Sequence, residues 1–416
     1  MWRQVSGLLG LVLAMHLQLF ARAVAGLVPD ASQQPIHGPP AGSSSLAAIS
    51  MPLFADLERL SRIVDIAYCI GNTGVRKPFR CVSRCSEFPE LSLVTTWSTG
   101  LFMSDSCGYI AVDRGGWRRP GVTAEGLDGR VQASHEHGAI IVAFRGTYSI
   151  TNTIVDLSTV PQKYVPYPSP DNGSKEPPEE PKHKCANCTV HMGFLESWRS
   201  ARDVILPALK ALKAEHPSYP VHLVGHSLGG AVACLAALEL RVSLGWEDVV
   251  ATTFGEPRVG NYQLARFVDR VFHLDGDTDL ESRSYRRVTH SNDPVPLLPL
   301  DEWGYRPHAG EIYISKPDLS PSEGDVRTCV GHSDPACSSG AESYLRQTMH
   351  RLLHFTRAGT TVQAYMETMT FPTRFKLWEL FFAHRDYFWR LGLCVPGGDP
   401  ANWGRDPFAE FEPGEL

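Results

Sequence analysis

The strongest chemical signal in the sequence is a serine set between glycines at the end of an apolar run. Residues 221–231 read Val221-His222-Leu223-Val224-Gly225-His226-Ser227-Leu228-Gly229-Gly230-Ala231. The apolar run has the character of a strand, and the small and apolar residues after it suit a helix. A Gly-x-Ser-x-Gly turn between two such elements holds its serine in a strained conformation above a sheet, and its glycines let neighbouring backbones pass closely. The N–H groups that open the following helix lack intrahelical partners and favour a developing negative charge. Ser227 is therefore a candidate nucleophile for acyl transfer. The alternative, an ordinary turn serine, does not need both flanking elements.

A serine at its ordinary pKa is a weak nucleophile, so it needs a histidine base and an acid to orient that base. In a strand–elbow–helix topology the chain order is serine, acid, histidine. Asp293, in Ser291-Asn292-Asp293-Pro294-Val295-Pro296, follows the strand-like run Tyr285 to His290. That puts it on the same edge of a parallel sheet as Ser227. An Asx-turn residue is the plainer reading of the same position. Five histidines follow it: His308, His332, His350, His354 and His384. Their residue types and spacing do not choose among them.

Metal chemistry is a weaker reading. His183, Cys185, Cys188 and His191 could in principle coordinate zinc. However, Asn187-Cys188-Thr189 is also a glycosylation sequon, as is Asn172-Gly173-Ser174, and in an oxidising compartment a small disulfide loop is the better account. His135-Glu136-His137-Gly138 lies between strand-like runs and suits a hairpin turn. No metal and no cofactor is expected.

The elements that would carry these groups alternate. Strand-like runs at 139–144, 221–224, 248–254 and 285–290 suit buried strands. Helical patterns occupy 201–215, 230–244 and 261–271. Alternation of this kind predicts an α/β fold with a mostly parallel central sheet and helices on both faces. An amphipathic helix over 51–69, with Leu53, Leu57, Leu60, Val64 and Ala67 on one face, packs on that core.

The chain has 416 residues, of which 43% are hydrophobic and 20% charged. Such a composition supports a large core and argues against disorder and against a multi-span membrane protein. Its length allows two or three domains or one long α/β domain. A net charge of −6 without a long basic run argues against a nucleic-acid partner. Arg3, the apolar stretch 7–20 and Ala23-Val24-Ala25 form a secretory signal over 1–25. No stretch is suited to a stable membrane span. Residues 26–50, rich in Pro, Gly, Ser and Ala, form a linker or short pro-segment. A polar, proline-rich stretch over 161–184 and an apolar helical one over 341–382 stand out within the 51–398 domain as insertions. The acidic segment 399–416 reads as a mobile tail.

Most cysteines of a secreted chain should be paired. Spacing makes Cys81–Cys85, Cys185–Cys188 and Cys329–Cys337 local pairs. Cys234, in an apolar helical run, reads as a buried thiol.

Beyond the serine motif, Phe144-Arg-Gly-Thr147, His191-Met-Gly-Phe194, Gly255-Glu-Pro-Arg-Val-Gly-Asn261 and Asn292-Asp-Pro-Val-Pro296 occur in order. Together they resemble the fungal class 3 lipases of the Rhizomucor/Thermomyces type, over about residues 51–394. The resemblance implies an α/β-hydrolase fold with a helical lid, and a secreted carboxylic ester hydrolase acting on acylglycerols. Triacylglycerol lipase is the first expectation, with phospholipase A1 or feruloyl esterase as alternatives. A catalytically silent binding module is the rival from another class.

The resemblance also implies Asp293 as the acid. It implies His384 as the base, because His384-Arg-Asp-Tyr-Phe388 followed by Gly392-Leu-Cys394 is similar to the family's ending. It implies a Cys69–Cys394 disulfide, which leaves Cys107 and Cys234 unpaired, and an oxyanion hole at Leu228 and Thr147. The lid would lie over 149–157, with Ile150, Ile154 and Leu157 on its apolar face. There this sequence departs from the family by carrying Thr153 in place of a tryptophan. The implied partner is a lipid or ester substrate met at an oil–water interface by a monomer.

Overall fold

The computed structural model describes residues 48–100, 106–115, 138–147, 161–164, 184–274, 282–341 and 382–404. The segments expected as signal, lid and tail end, most of both insertions, and Asn172 lie outside the described residues. So does the 131–137 part of the expected hairpin.

Twelve strands are described. They are β1 (Leu91–Ser98), β2 (Cys107–Asp113), β3 (Ala139–Phe144), β4 (Gln162–Lys163), β5 (Thr189–Val190), β6 (Val221–His226), β7 (Val249–Phe254), β8 (Gly260–Asn261), β9 (Tyr285–His290), β10 (Tyr305–Arg306), β11 (Glu311–Ile314) and β12 (Val326–Thr328). The α-helices are α1 (Met51–Ile66), α2 (Met192–Glu215), α3 (Leu228–Val242) and α4 (Tyr262–Phe272).

Eight strands form the main sheet in the order β1-β2-β3-β6-β7-β9-β11-β12. The centre from β3 to β11 is parallel and the two edges are antiparallel. The central strands are buried throughout, and β3 accordingly reads as an unbroken apolar run rather than an alternating one. Helices cover both faces. Helix α1 opens with Ser50 accepting from the Leu53 N–H at 3.3 Å and Pro52 in its first turn. Its buried Leu53, Leu57, Leu60 and Val64 pack with Ala139, Ile141 and Ala143, alternate residues of β3. Helix α3 packs on β3, β6 and β7. A small antiparallel sheet, β10-β8-β5-β4, lies apart from the main one.

Several boundaries differ from the sequence reading. Helix α2 begins at Met192 instead of 201, running through Pro207. Residues before 51 take part in the fold, since Ala48 bridges Arg327 and Ile49 is buried. Within residues 399–404, expected as part of the tail, Asp399 and Asn402 are buried, and Asp399 pairs with Arg385 at 2.6 Å. The salt bridge anchors the chain where acidic composition alone suggested a solvated end.

Four disulfides are present: Cys69–Cys394, Cys81–Cys85, Cys185–Cys188 and Cys329–Cys337. Cys107, which opens β2, and Cys234, inside α3, are buried thiols.

Candidate active site

Ser227 sits between β6 and α3 with φ 58° and ψ −130°. A non-glycine residue in this region carries about 1–3 kcal/mol of backbone strain, which the flanking strand and helix must hold. The glycines around it are needed for close approach. A Cβ on Gly225 would lie 2.3 Å from the Gly229 carbonyl oxygen, and one on Gly229 would lie 2.4 Å from that of Phe144. A Cβ on Gly146 would meet the Tyr68 hydroxyl at 2.6 Å and Ser227 Cβ at 2.8 Å. The turn after β3 therefore lies against the serine, and half-buried Thr147 follows at once. Leu228 is the first residue of α3, so its N–H belongs to the unpaired donors of a helix start. Arg145 braces the same turn by donating to the Ile70 carbonyl at 2.7 Å.

His384 and Asp293, 91 residues apart in sequence, meet in a fully buried contact. His384 Nδ1 donates to both Asp293 oxygens, at 3.0 and 2.9 Å. The same carboxylate accepts from the Tyr387 hydroxyl at 2.5 Å and the Val295 N–H at 2.9 Å. Burial alone would push the Asp293 carboxyl up. The His384 ring, the Tyr387 hydroxyl and the Val295 amide outweigh it and hold the group below its ordinary range. With Nδ1 occupied, His384 Nε2 is left without a hydrogen-bond partner among the described residues. Gly255, at φ 60°, makes room for this ring, because a Cβ there would lie 2.8 Å from His384 Cε1.

The histidine beside the serine has a different task. His226 Nε2 donates to the His384 backbone carbonyl at 2.8 Å, so its Nδ1 is left to accept from the Tyr68 hydroxyl at 2.5 Å. Its ring stacks on that of His384 with centroids 4.8 Å apart. Burial, then repulsion from His384, pushes His226 down to about 3. The ring should thus stay neutral in the folded protein near neutral pH, and its NMR resonances should show no protonation step between pH 8 and pH 5. A titration step near the ordinary histidine value would overturn this account.

The other histidines stand elsewhere. His308 is buried, with Nε2 3.0 Å from Glu256 Oε1 and Nδ1 2.7 Å from the Ala309 carbonyl. His332, in the Cys329–Cys337 loop, pairs with Asp269. His350 and His354 lie outside the described residues. Cys185 and Cys188 are joined to each other, and His191 packs on Phe194 at the start of α2. The sequence reading missed Tyr68, His226 and Tyr387. Tyr387 had a usable signal in its spacing of three from His384, whereas Tyr68 had none.

Residues 141–303 match the family model for lipase (class 3). The chain is 60% identical over 402 residues to "Secreted mono- and diacylglycerol lipase 2" of Gibberella zeae, covering 97% of this chain and 96% of that protein. The chain belongs to the class 3 lipase family. It is also 57% identical over 405 residues to "Lipase A" of Sodiomyces alcalophilus, covering 96% and 94% of the two chains. Among solved structures it resembles the Lip2 lipase of Yarrowia lipolytica, with a TM-score of 0.61, 26% identity, and coverage of 85% of this chain and 99% of that one. Membership makes this chain a secreted ester hydrolase of the α/β-hydrolase fold. Among the described residues, no helix is long and apolar enough to cross a membrane.

Proposed function

We propose that this class 3 lipase hydrolyses mono- and diacylglycerols through an acyl-enzyme on Ser227, with His384 as base and Asp293 as its orienting acid. The reading is supported by the buried His384 ring, fixed at Nδ1 by Asp293 and without a hydrogen-bond partner at Nε2 among the described residues, and by the strained backbone of Ser227 at the start of α3. Ser227 Oγ attacks the ester carbonyl carbon while Nε2 takes the hydroxyl proton. The carbonyl oxygen becomes an oxyanion that accepts from the N–H groups of Leu228 and Thr147. A single donor of this kind is worth ~3 kcal/mol. Collapse breaks the bond to the glycerol oxygen, which leaves with the proton from His384. Water then repeats the sequence on the acyl-serine. Asp293 remains a carboxylate throughout and stabilises the charged ring.

The relatives' names support partial glycerides over triacylglycerol, the substrate the sequence first suggested. On this reading the enzyme acts as a monomer at an oil–water interface. The test is a panel of monoolein, diolein, triolein, phosphatidylcholine and methyl ferulate. Mono- and diolein should turn over at least about ten-fold faster than triolein, a ratio that pocket contacts to one acyl group can supply. A preference for phosphatidylcholine or the ferulate would replace the substrate assignment. Failure of a fluorophosphonate to label Ser227 would remove the mechanism.

A further inference from the structure

A second site lies at the small sheet, where the sequon Asn187-Cys188-Thr189 meets the start of α4. Asn187 is exposed, at φ 57°, in the turn closed by Cys185–Cys188. A left-handed conformation is one that asparagine tolerates better than most residues. Its carbonyl accepts from Asn261 Nδ2 at 2.9 Å. Asn261 Oδ1 accepts in turn from the Thr189 N–H at 3.1 Å and the Leu264 N–H at 3.0 Å. One side chain thus caps α4 and holds both ends of the sequon against that helix.

Thr189 and Asn261 are also walls of a groove of about 450 Å³, completed by Pro161, Tyr262, Trp303 and Arg306 among others. Its size falls within the ~300–1,000 Å³ of small-ligand sites. Its chemistry pairs aromatic rings with amide and guanidinium donors. Tyr262 is 52% exposed and its ring lies against His332, while Arg306 is braced by the carbonyls of Asp301 and Tyr305. Sugar rings need such a surface, because they present an apolar C–H face edged by hydroxyls. The groove starts at the sequon itself, which names its occupant.

We propose that Asn187 carries an N-linked glycan whose first N-acetylhexosamine units lie in this groove, against Tyr262 and Trp303. Attachment takes place in the secretory route, before the Cys185–Cys188 turn closes. The Asn187 carboxamide nitrogen forms a bond to the anomeric carbon of a lipid-diphosphate-linked oligosaccharide. The carbon–oxygen bond to the diphosphate breaks, and the amide gives up one proton. In the folded protein the sugar then covers the apolar rings that the groove exposes.

The test uses the full secreted chain in an Asn172→Gln background, so that one sequon is read. Peptide mass spectrometry should find Asn187 occupied. An endoglycosidase acting on the native protein should trim this glycan slowly. Trp303→Ala and Tyr262→Ala should each speed trimming by roughly ten-fold, the equilibrium factor for one aromatic stacking contact. The Tyr262 variant, altered at an exposed ring, covers the case in which Trp303→Ala fails to fold. Unchanged Ser227 labelling by a fluorophosphonate reports that each variant is native. An unoccupied Asn187, or trimming that neither substitution accelerates, overturns the proposal without touching the catalytic reading.

Discussion

His384→Ala should lower acyl-enzyme formation by about six orders of magnitude, the scale lost when a triad base is removed. The burst of p-nitrophenol from a p-nitrophenyl ester measures it. Ser227→Ala should fall by as much while its thermal unfolding stays cooperative. Asp293→Asn should cost about 10⁴, because an amide cannot hold the ring in the tautomer that leaves Nε2 open to the serine proton. His308→Ala separates the two buried histidines. His308 faces Glu256 and a backbone carbonyl, not Asp293. Its loss leaves Glu256 Oε1 without that hydrogen bond and should cost about 1–3 kcal/mol of stability, as when a buried polar group loses its partner. Its burst should survive at temperatures where the variant is folded. A dead His308→Ala and a bursting His384→Ala would reverse the assignment.

The contrast between these histidines marks where sequence reasoning stops. The elbow is legible because its constraints are local. The strand, the two glycines that flank the serine and the start of the helix fall within eleven consecutive positions, and Gly225 and Gly229 each answer a backbone contact closer than 3 Å. Asp293 is nearly as legible, since it follows the strand β9 directly. The partner of Asp293 is 91 residues away, and no local spacing carries a contact of that range. Only the resemblance to a family named His384. Tyr68 and His226 illustrate the same limit. Their hydrogen bond spans 158 residues, and nothing around Tyr68 announces it. Strand β2 was missed for another reason. Tyr109-Ile110-Ala111-Val112 has the apolar run of a buried strand, but it lies outside the alternation of strand and helix that organised the reading.

The second large effect expected is on stability. Replacing both Cys69 and Cys394 by alanine should lower the unfolding free energy by about 5 kcal/mol, because the bond closes a loop with a sequence separation of 325 and constrains the unfolded chain accordingly. Against the ~5–15 kcal/mol that holds a typical domain together, this is a large share. The double substitution avoids a lone thiol, so denaturant unfolding of the variant and the parent can be compared directly. Equal midpoints and slopes would show that the folded core carries the stability without the link.

Activity should also respond to loss of this disulfide, through two short paths. On one side of the bond, Cys69 precedes Ile70, whose carbonyl takes the Arg145 guanidinium that braces the Gly146–Thr147 turn. On the other, Cys394 follows Gly392, whose N–H donates to buried Asp65 at 2.8 Å, and Leu391, whose carbonyl accepts from Arg385 at 2.6 Å, next to His384. The bond therefore joins the support of the proposed oxyanion donors to the support of the proposed base. Where the double variant is still folded, kcat on a soluble ester should fall more than KM rises. Misplacing these groups removes stabilisation made only in the transition state. A purely structural staple would leave kcat of the folded fraction unchanged.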